Sequence, residues 1–231
     1  MIAIHINSNE EWEATKELLN PIGIKHSPYG ECFKTKISDF NCIFYHSGAT
    51  KTRSAGACQY AIDKWVPEII FVLGTCGGVS EDIRPLDIIL AEATGQYDVI
   101  TMKKRESIFY EIIELDNSWI NLRDFPYKLI RGFLATADKS VTAKNFHSLR
   151  ESGAHGADWE TASIATVCKL NKTKCCAVRG VSDVVSQEDV FLQLEDYKRN
   201  TSIIMKDLIM RYLPHLIYDY NNWKINKDSI D

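Results

Sequence analysis

Residues 67–78 read PEIIFVLGTCGG, and this stretch decides the fold. Five consecutive apolar residues, 69–73, stand between Pro67 and Gly74. An apolar run of this length without alternation is typical of a strand that helices cover on both faces. The stretch therefore predicts a central strand of an α/β sheet that ends at Leu73, with a glycine-rich segment directly after it.

The rest of the chain alternates strand and helix patterns around this stretch. Pro67 ends the preceding helix because proline cannot continue the hydrogen-bond ladder. Further strands are predicted at residues 2–6, 42–45, 87–93, 129–135 and 175–178, and helices after Asn9, Gly48 and Glu160 and over residues 191–213. The polar tail from Tyr218 is expected to fray. Without a repeat or linker, residues 1–231 are predicted to form one domain.

Composition excludes several classes of protein. The 231 residues are 45% hydrophobic and 25% charged, which is ordinary for a globular protein with a core. The net charge of −4 gives no basic footprint for a nucleic-acid partner. No apolar stretch approaches the roughly 18 residues of a membrane span, and the N-terminus lacks the pattern of a signal peptide.

Seven cysteines are an odd number, and no pair of them has the CxxC spacing of a zinc site. Adjacent Cys175 and Cys176 would point to opposite faces of a strand. This pattern predicts reduced thiols in a cytoplasmic protein, with no metal site.

Four segments place polar residues or glycines where a ligand could bind. Residues 10–11, 74–78 and 179–183 each follow a predicted strand, and residues 158–160 precede a predicted helix. Ligands of open α/β sheets bind at the carboxyl ends of strands. Each segment also has a structural interpretation. The glutamates could oppose a helix dipole, the glycines could form a turn, and Asp158 and Ser182 could be helix caps.

Three blocks in this order and spacing resemble one family. They are LGTCGG at 73–78, WETASIA at 159–165 and VRGVSD at 178–183. The chain resembles the purine nucleoside phosphorylase and uridine phosphorylase superfamily from Met1 to about Leu213. It is most similar to the hydrolytic branch, the methylthioadenosine and S-adenosylhomocysteine nucleosidases. The resemblance implies a three-layer α/β/α fold with a central mixed sheet, and a cofactor-free hydrolase that acts on a purine-type nucleoside.

The resemblance also implies catalytic roles. Asp183 corresponds to the general acid that protonates the leaving base, and Glu160 to the carboxylate that binds the ribose hydroxyls. Glu11 corresponds to the residue that activates water, with Thr75 and Arg179 in its hydrogen-bond network. Glu13 remains an alternative to Glu11, although Glu11 aligns better with the family's first strand.

Four further residues are predicted to bind substrate. Trp159 stands where the family usually has a methionine against the ribose, and Val141 where a main-chain group contacts the base. Ser140 replaces an aromatic residue that often stacks on the base, so the identity of the base stays open. Ser182 precedes the predicted acid.

The chemistry of glycosidic cleavage agrees with these roles. Departure of a base leaves an oxocarbenium-like sugar, which carboxylates stabilise. A carboxylic acid whose pKa is raised by burial can protonate the base near neutral pH.

Two other functions remain as alternatives. A phosphorylase needs cationic donors for phosphate, and the hexameric phosphorylases have an arginine in the strand before the glycine-rich segment. Residues 71–73, FVL, contain none, which favours water as the nucleophile. The third possibility is an inactive nucleoside-binding protein. The resemblance further implies a role in purine salvage and a homodimer, with the helix of Ala55, Cys58 and Trp65 as candidate interface.

Overall fold

A computed structural model describes residues 1–101, 107–184 and 190–229. Ten strands and six α-helices follow in the order β1 (Ile2–Ile6), α1 (Asn9–Leu19), β2 (Lys25–His26), β3 (Glu31–Ile37), β4 (Phe40–His46), α2 (Lys51–Trp65), β5 (Ile69–Gly78), β6 (Ile88–Gln96), β7 (Ile112–Glu114), β8 (Ile130–Thr136), α3 (Ala143–Glu151), β9 (Ala154–Asp158), α4 (Thr161–Leu170), β10 (Lys174–Val184), α5 (Val190–Asp207) and α6 (Leu213–Asp228), with a π-helical turn, Leu208–Tyr212, joining the last two.

The predicted central strand, β5, lies in the middle of a mixed sheet. It pairs in parallel with β1 and β10, and β1 in turn pairs in parallel with β4. Phe71 and Leu73 face the core beneath α1, α5 and α6, whereas Ile70 and Val72 face the core beneath α2 and α4. This three-layer α/β/α arrangement with a central mixed sheet confirms the predicted fold class.

Five of the strands close into a ring. β5 pairs with both β9 and β10, and the remaining pairings run from β10 through β6 and β8 to β9. The antiparallel pairing of Gly77 with Ala157 turns β9 back along the second half of β5. The end of β9 is therefore delivered to the middle of β5, beside β10.

The predicted end of the central strand at Leu73 is wrong, because β5 continues through Gly78 and the glycines of residues 74–78 belong to the strand rather than to a turn. The strand predicted to stop at Val178 likewise continues to Val184. The two extensions pair with each other, with Arg179 opposite Gly74. Interstrand hydrogen bonds between them compensate for the low strand propensity of their glycines.

The polar tail is also helical rather than frayed, since α6 extends to Asp228. Tyr220 lies in the main core, and the Lys174 ammonium lies 4.6 Å from the ring centroid of Trp223. Lys224 forms an ion pair of 2.7 Å with Glu68. These contacts come from distant parts of the chain, so local polarity did not reveal them.

The helix proposed as an interface, α2, uses much of its apolar face inside the chain. Cys58 is fully buried, with its Sγ 3.7 Å from the Sγ of Cys168 in α4. Ala55 and Trp65 are half-buried. Cys58 is therefore a core residue within the chain, whereas Ala55 and Trp65 keep partly exposed side chains.

Within residues 1–101, 107–184 and 190–229, no helix has both the length and the apolar character to cross a membrane.

Candidate active site

Glu11 is held between the start of α1 and the middle of β5. Ser8 caps α1, and its N–H donates to Glu11 Oε2 at 3.0 Å while Ser8 Oγ accepts from Glu11 N–H. This reciprocal capping box fixes the side chain. Thr75 donates to Glu11 Oε1 through its N–H at 2.6 Å and its hydroxyl at 2.7 Å. Both carboxylate oxygens of the buried Glu11 therefore accept hydrogen bonds.

The alternative residue Glu13 points elsewhere. Its side chain is 64% exposed and forms a surface ion pair of 2.9 Å with Lys16. Glu11, which is 2% exposed, is therefore the glutamate of this helix turn that reaches the strand ends.

Arg179 of β10 is a fully buried cation. Its Nε lies 3.1 Å from Thr161 Oγ1 and 3.2 Å from Asp158 Oδ2, and its Nη2 donates to Asn7 Oδ1 at 3.1 Å. Nη2 also lies 3.4 Å from Glu160 Oε2. Nη1 has no hydrogen-bond partner among the described residues. A guanidinium with an unused donor is thus held inside the site.

The unused donor, Arg179 Nη1, lies beside Gly74. A Cβ at this position would collide with Arg179 Nη1 and would come within 2.7 Å of Glu11 Oε1. The missing side chain therefore leaves space for the guanidinium and the carboxylate to approach each other. The family resemblance implies that Thr75 and Arg179 both lie in the hydrogen-bond network of Glu11. Thr75 bonds it directly, while Arg179 bonds other groups and faces Glu11 across Gly74.

Asp158, at the end of β9, organises the next segment. It accepts a hydrogen bond of 2.6 Å from the Thr136 hydroxyl and bonds of 3.2 Å from the N–H groups of Glu160 and Thr161. It therefore satisfies the start of α4, as a capping residue does, and also pairs with Arg179. Asp158 is buried and forms a charged cluster with Glu11, Glu160 and Arg179.

Glu160 is a buried member of this cluster, and its Oε1 accepts a hydrogen bond of 3.4 Å from the N–H of Thr50. Burial raises the pKa of Glu160 from 4.5 to about 8; Arg179 opposes this shift, and Asp158 and Glu11 add to it. Thr50 has φ 94° and ψ 149°, a conformation that costs a non-glycine residue about 1–3 kcal/mol. Thr50 is therefore a strained residue, and its N–H is the group that donates to Glu160.

The raised pKa predicts how stability depends on pH. The folded protein binds the Glu160 proton more tightly than the unfolded chain does. Protonated Glu160 therefore contributes to the free energy of unfolding, and this stabilisation is complete below pH 4.5 and is lost as pH rises through about 8. Glu160→Gln should therefore melt at a higher temperature than the wild type at pH 9, with a smaller difference at pH 5. Thermal melts at both pH values measure this. Glu13→Gln, on the exposed face of α1, serves as control, and identical pH slopes in all three proteins would contradict the prediction.

Asp183 lies at a bulge in β10. Val181 pairs with Cys76 and Asp183 with Gly77, so Ser182 is an extra residue in this strand. Bulges re-aim the side chains that follow them and are common beside active sites. The Ser182 hydroxyl donates to Asp183 Oδ1 at 2.5 Å. Ser182 is thus a strand residue whose side chain fixes the half-buried carboxyl, rather than a helix cap.

The remaining predicted residues lie on loops at the same edge of the sheet. Trp159, next to Glu160, is 39% exposed. Ser140 and Val141 follow β8, which is the parallel neighbour of β9. Ser140 is exposed, and Val141 packs against a small apolar cluster. The structure brings these loops to one edge, where Trp159 presents the larger apolar surface.

A cavity of about 410 Å³ lies away from this site, lined by Met1, Lys34, Thr35, Lys36, Asn41 and Cys42. Met1 and Cys42 mark the starts of β1 and β4, whereas the charged cluster lies at the strand ends. None of the predicted site residues lines this cavity.

Comparison with known proteins places this geometry in a family. The family model described as "Phosphorylase superfamily" matches residues 2–210. The chain belongs to the phosphorylase superfamily. This membership agrees with the resemblance carried by the three sequence blocks.

Individual relatives in the family are nucleosidases. The 5′-methylthioadenosine/S-adenosylhomocysteine nucleosidase of Thermotoga maritima is 25% identical over 167 residues, covering 70% of this chain and 76% of the relative. The aminodeoxyfutalosine nucleosidase of Campylobacter jejuni is 22% identical over 188 residues, covering 76% and 82%. These relatives favour the nucleosidase interpretation over a phosphorylase or an inactive binding protein.

A solved structure shows the same fold. The 5′-methylthioadenosine/S-adenosylhomocysteine nucleosidase of Colwellia psychrerythraea, in complex with adenine, has a TM-score of 0.78 and 17% identity, covering 95% of each chain. At this identity the likeness concerns the fold.

Three residues of the cluster were missed or left open from sequence. The sequence patterns do not identify Asn7 or Thr161, and they leave Asp158 open between a strand-end ligand residue and a helix cap. Asn7 directly follows the buried strand β1, and a polar residue in that position could have been recognised by the same strand-end rule that selected the others.

Proposed function

We propose that this protein hydrolyses the N-glycosidic bond of a purine-type nucleoside to give free base and ribose. The nucleoside can carry a modification on its base or at its 5′ position. The observation that carries the proposal is the charge of the buried cluster. Three carboxyl groups, those of Glu11, Asp158 and Glu160, are buried around the single guanidinium of Arg179, so carboxyl groups outnumber cations among the described residues of this site. Such a negative cluster suits a reaction whose sugar becomes positively charged.

Glu160 would bind the ribose hydroxyls from its place at the start of α4. A carboxylate accepts charge-assisted hydrogen bonds from hydroxyl groups, and it stabilises positive charge on the sugar. Its pKa of about 8 means that substrate hydroxyls must compete with its own proton near neutral pH. Trp159 would cover one side of the sugar with its half-exposed ring.

Asp183 would protonate the departing base. Ser182 orients the carboxyl by donating to Oδ1, and Asn200 of α5 in turn holds Ser182 by donating to its carbonyl at 2.6 Å. A positioned acid that protonates the leaving group lowers the barrier to cleavage. Ser140 and Val141 stand on the loop where the base would lie, and the small Ser140 side chain leaves room for a substituted base.

Glu11 would orient and deprotonate the attacking water. Thr75 fixes Oε1 of this carboxylate, and the unused Nη1 of Arg179 faces the same space beside Gly74. A water in that space would receive a donor from Arg179 and would give its proton to Glu11.

Phosphate is the less suitable nucleophile, although Arg179 supplies a cation that residues 71–73 lack. This arginine comes from β10, and its charge is already matched by neighbouring carboxylates. A phosphate beside Arg179 would also meet Glu11, and like charges at this distance repel strongly in a buried site. Water carries no such penalty.

The test of the proposed function is release of base in phosphate-free buffer. We expect full-rate release from a purine nucleoside and ribose, or its 5′-substituted form, as the sugar product. Added phosphate should leave the rate unchanged. A requirement for phosphate, or ribose 1-phosphate as product, would instead establish the phosphorylase alternative. Intact nucleoside after long incubation with every substrate tried would establish the binding-protein alternative.

The substrate is best narrowed by a panel of purine, base-modified, 5′-modified and pyrimidine nucleosides, scored for free base. We propose purine-type nucleosides as the preferred class and purine salvage as the physiological setting. This rests on the relatives, which are nucleosidases of modified purine nucleosides by name. Faster release from pyrimidine nucleosides would contradict it.

We propose that the protein is a cytoplasmic homodimer. The seven cysteines are all free and buried, as expected of a reducing compartment. Half-buried Ala55 and Trp65 on α2 remain candidates for the interface. Light scattering at micromolar concentration measures the mass, and a fully active monomer would contradict the dimer.

We also propose that residues 1–231 fold as one domain, because α6 packs against the starts of β5 and β10. A single cooperative transition in calorimetry is expected, whereas two separate transitions would contradict it.

A further inference from the structure

Asn7 is a buried amide directly behind the proposed water site. It is the first residue after β1 and is 1% exposed. Its Oδ1 accepts a hydrogen bond of 3.1 Å from Arg179 Nη2. Its Nδ2 lies 2.9 Å from Ser54 Oγ and 3.1 Å from Ser47 Oγ. A guanidinium has no acceptor, so the amide oxygen must face Arg179 and the amide nitrogen must face the serines.

His5 is a further buried neighbour of the Asn7 amide. Its Nε2 lies 3.4 Å from Asn7 Nδ2. Burial, followed by the charges of Arg179 and His46, lowers the pKa of His5 well below its usual value, so the ring is neutral. The polar atoms of Asn7 are therefore engaged, and the amide has one orientation.

The orientation of the Asn7 amide matters because the other partners of Arg179 are Asp158, Thr161 and Glu160. Asp158 and Thr161 bind Nε, and Glu160 lies 3.4 Å from Nη2, farther than Asn7. If Asn7 were removed, the guanidinium would be drawn toward these carboxylates. Nη1 would then leave the space beside Gly74 that it shares with Glu11.

We propose that Asn7 is a positioning residue that sets the rotation of Arg179 and thereby holds Nη1 beside the nucleophilic water. This inference rests on the proposed hydrolysis. An amide performs this task without adding another negative charge to the site. A carboxylate would also hold Arg179, but it would weaken the donor that Arg179 offers to water.

The test compares three variants with the wild type. Asn7→Leu keeps the branched shape of the side chain, with a larger volume, and removes the acceptor for Arg179. Ser54→Ala removes a hydrogen bond from the opposite side of the same amide and leaves Arg179 untouched, so it is the matched structural control. Asn7→Asp restores an acceptor. We expect kcat to fall about 10–100-fold in Asn7→Leu, because small misplacements of catalytic groups have effects of this size, with a smaller change in KM. Ser54→Ala should remain within about threefold of wild type, while Asn7→Asp should recover at least part of the lost kcat.

Equal kcat in Asn7→Leu and Ser54→Ala would overturn the inference, as would an Asn7→Asp variant no better than Asn7→Leu. If Asn7→Leu does not fold, Asn7→Ser, whose oxygen is too short to reach Nη2, takes its place with the same expectation. Crystal structures of the variants give a readout independent of turnover: Arg179 Nη1 should have left Gly74 in Asn7→Leu and Asn7→Ser and remained there in Ser54→Ala. An unmoved guanidinium overturns the inference even if the wild type is not a hydrolase, whereas absent turnover in both wild type and Ser54→Ala overturns the proposed function alone.

Discussion

Asp183→Asn should reduce kcat on a purine nucleoside by about 10²–10⁴-fold, the range that general acid catalysis typically supplies. The asparagine oxygen can still accept the hydrogen bond from Ser182, so the bulge in β10 should be kept and melting should change little. Steady-state release of base, scored per folded molecule, measures the loss.

A change of leaving group separates acid catalysis from a general loss of the site. Cleavage of p-nitrophenyl riboside releases p-nitrophenolate, a leaving group that is stable without protonation. The Asp183→Asn variant should therefore cleave this substrate at nearly the wild-type rate. A folded variant that cleaves the purine nucleoside normally would rule out Asp183 as the acid. A variant that fails equally on both substrates would show that Asp183 binds or orients rather than protonates.

Glu11→Gln should reduce hydrolysis of both substrates by about 10²–10⁴-fold, since loss of the water-activating base does not depend on the leaving group. The opposite responses of the Asp183 and Glu11 variants to p-nitrophenyl riboside are the sharpest distinction between the two roles. Glu10→Gln, exposed in the same helix turn, is the control and should retain full activity. Undiminished hydrolysis in Glu11→Gln would return the role to another group.

The same substitution should also affect stability. The N–H groups of Ser8 and Thr75 each donate to a different oxygen of Glu11. Glutamine has one oxygen, so one of these donors would face an amide NH₂ and lose its partner at a cost of about 1–3 kcal/mol. Activity must therefore be normalised to the folded fraction, and calorimetric binding of free base should show that the pocket survives.

Sequence predicted the fold where burial was continuous and failed where pairing was distant. The apolar run at 69–73 identified β5, because a strand covered on both faces leaves a strong local signal. β3 mixes buried and exposed residues, and β9 is short and contains Gly156, so neither was predicted. The glycines at 74–78 resembled a turn because the strand that pairs with them lies about a hundred residues later.

The site shows the same division. Glu11, Glu160 and Asp183 stood out because each lies in a motif at a strand end or helix start. The contact of Asn7 with Arg179 joins residues 172 positions apart, and no local pattern reports it. A cap was one interpretation of Asp158, and it does satisfy the start of α4; its second role becomes visible only when β10 brings Arg179 beside it.

The C-terminal helix has a practical consequence for handling the protein. Trp223 and Lys224 hold α6 against Lys174 and Glu68, at the starts of β10 and β5. The charged cluster lies toward the other ends of these strands. A support or fluorescent label coupled to an engineered thiol at exposed Ile225 would therefore face away from the substrate, and the immobilised protein should present its open end to solution.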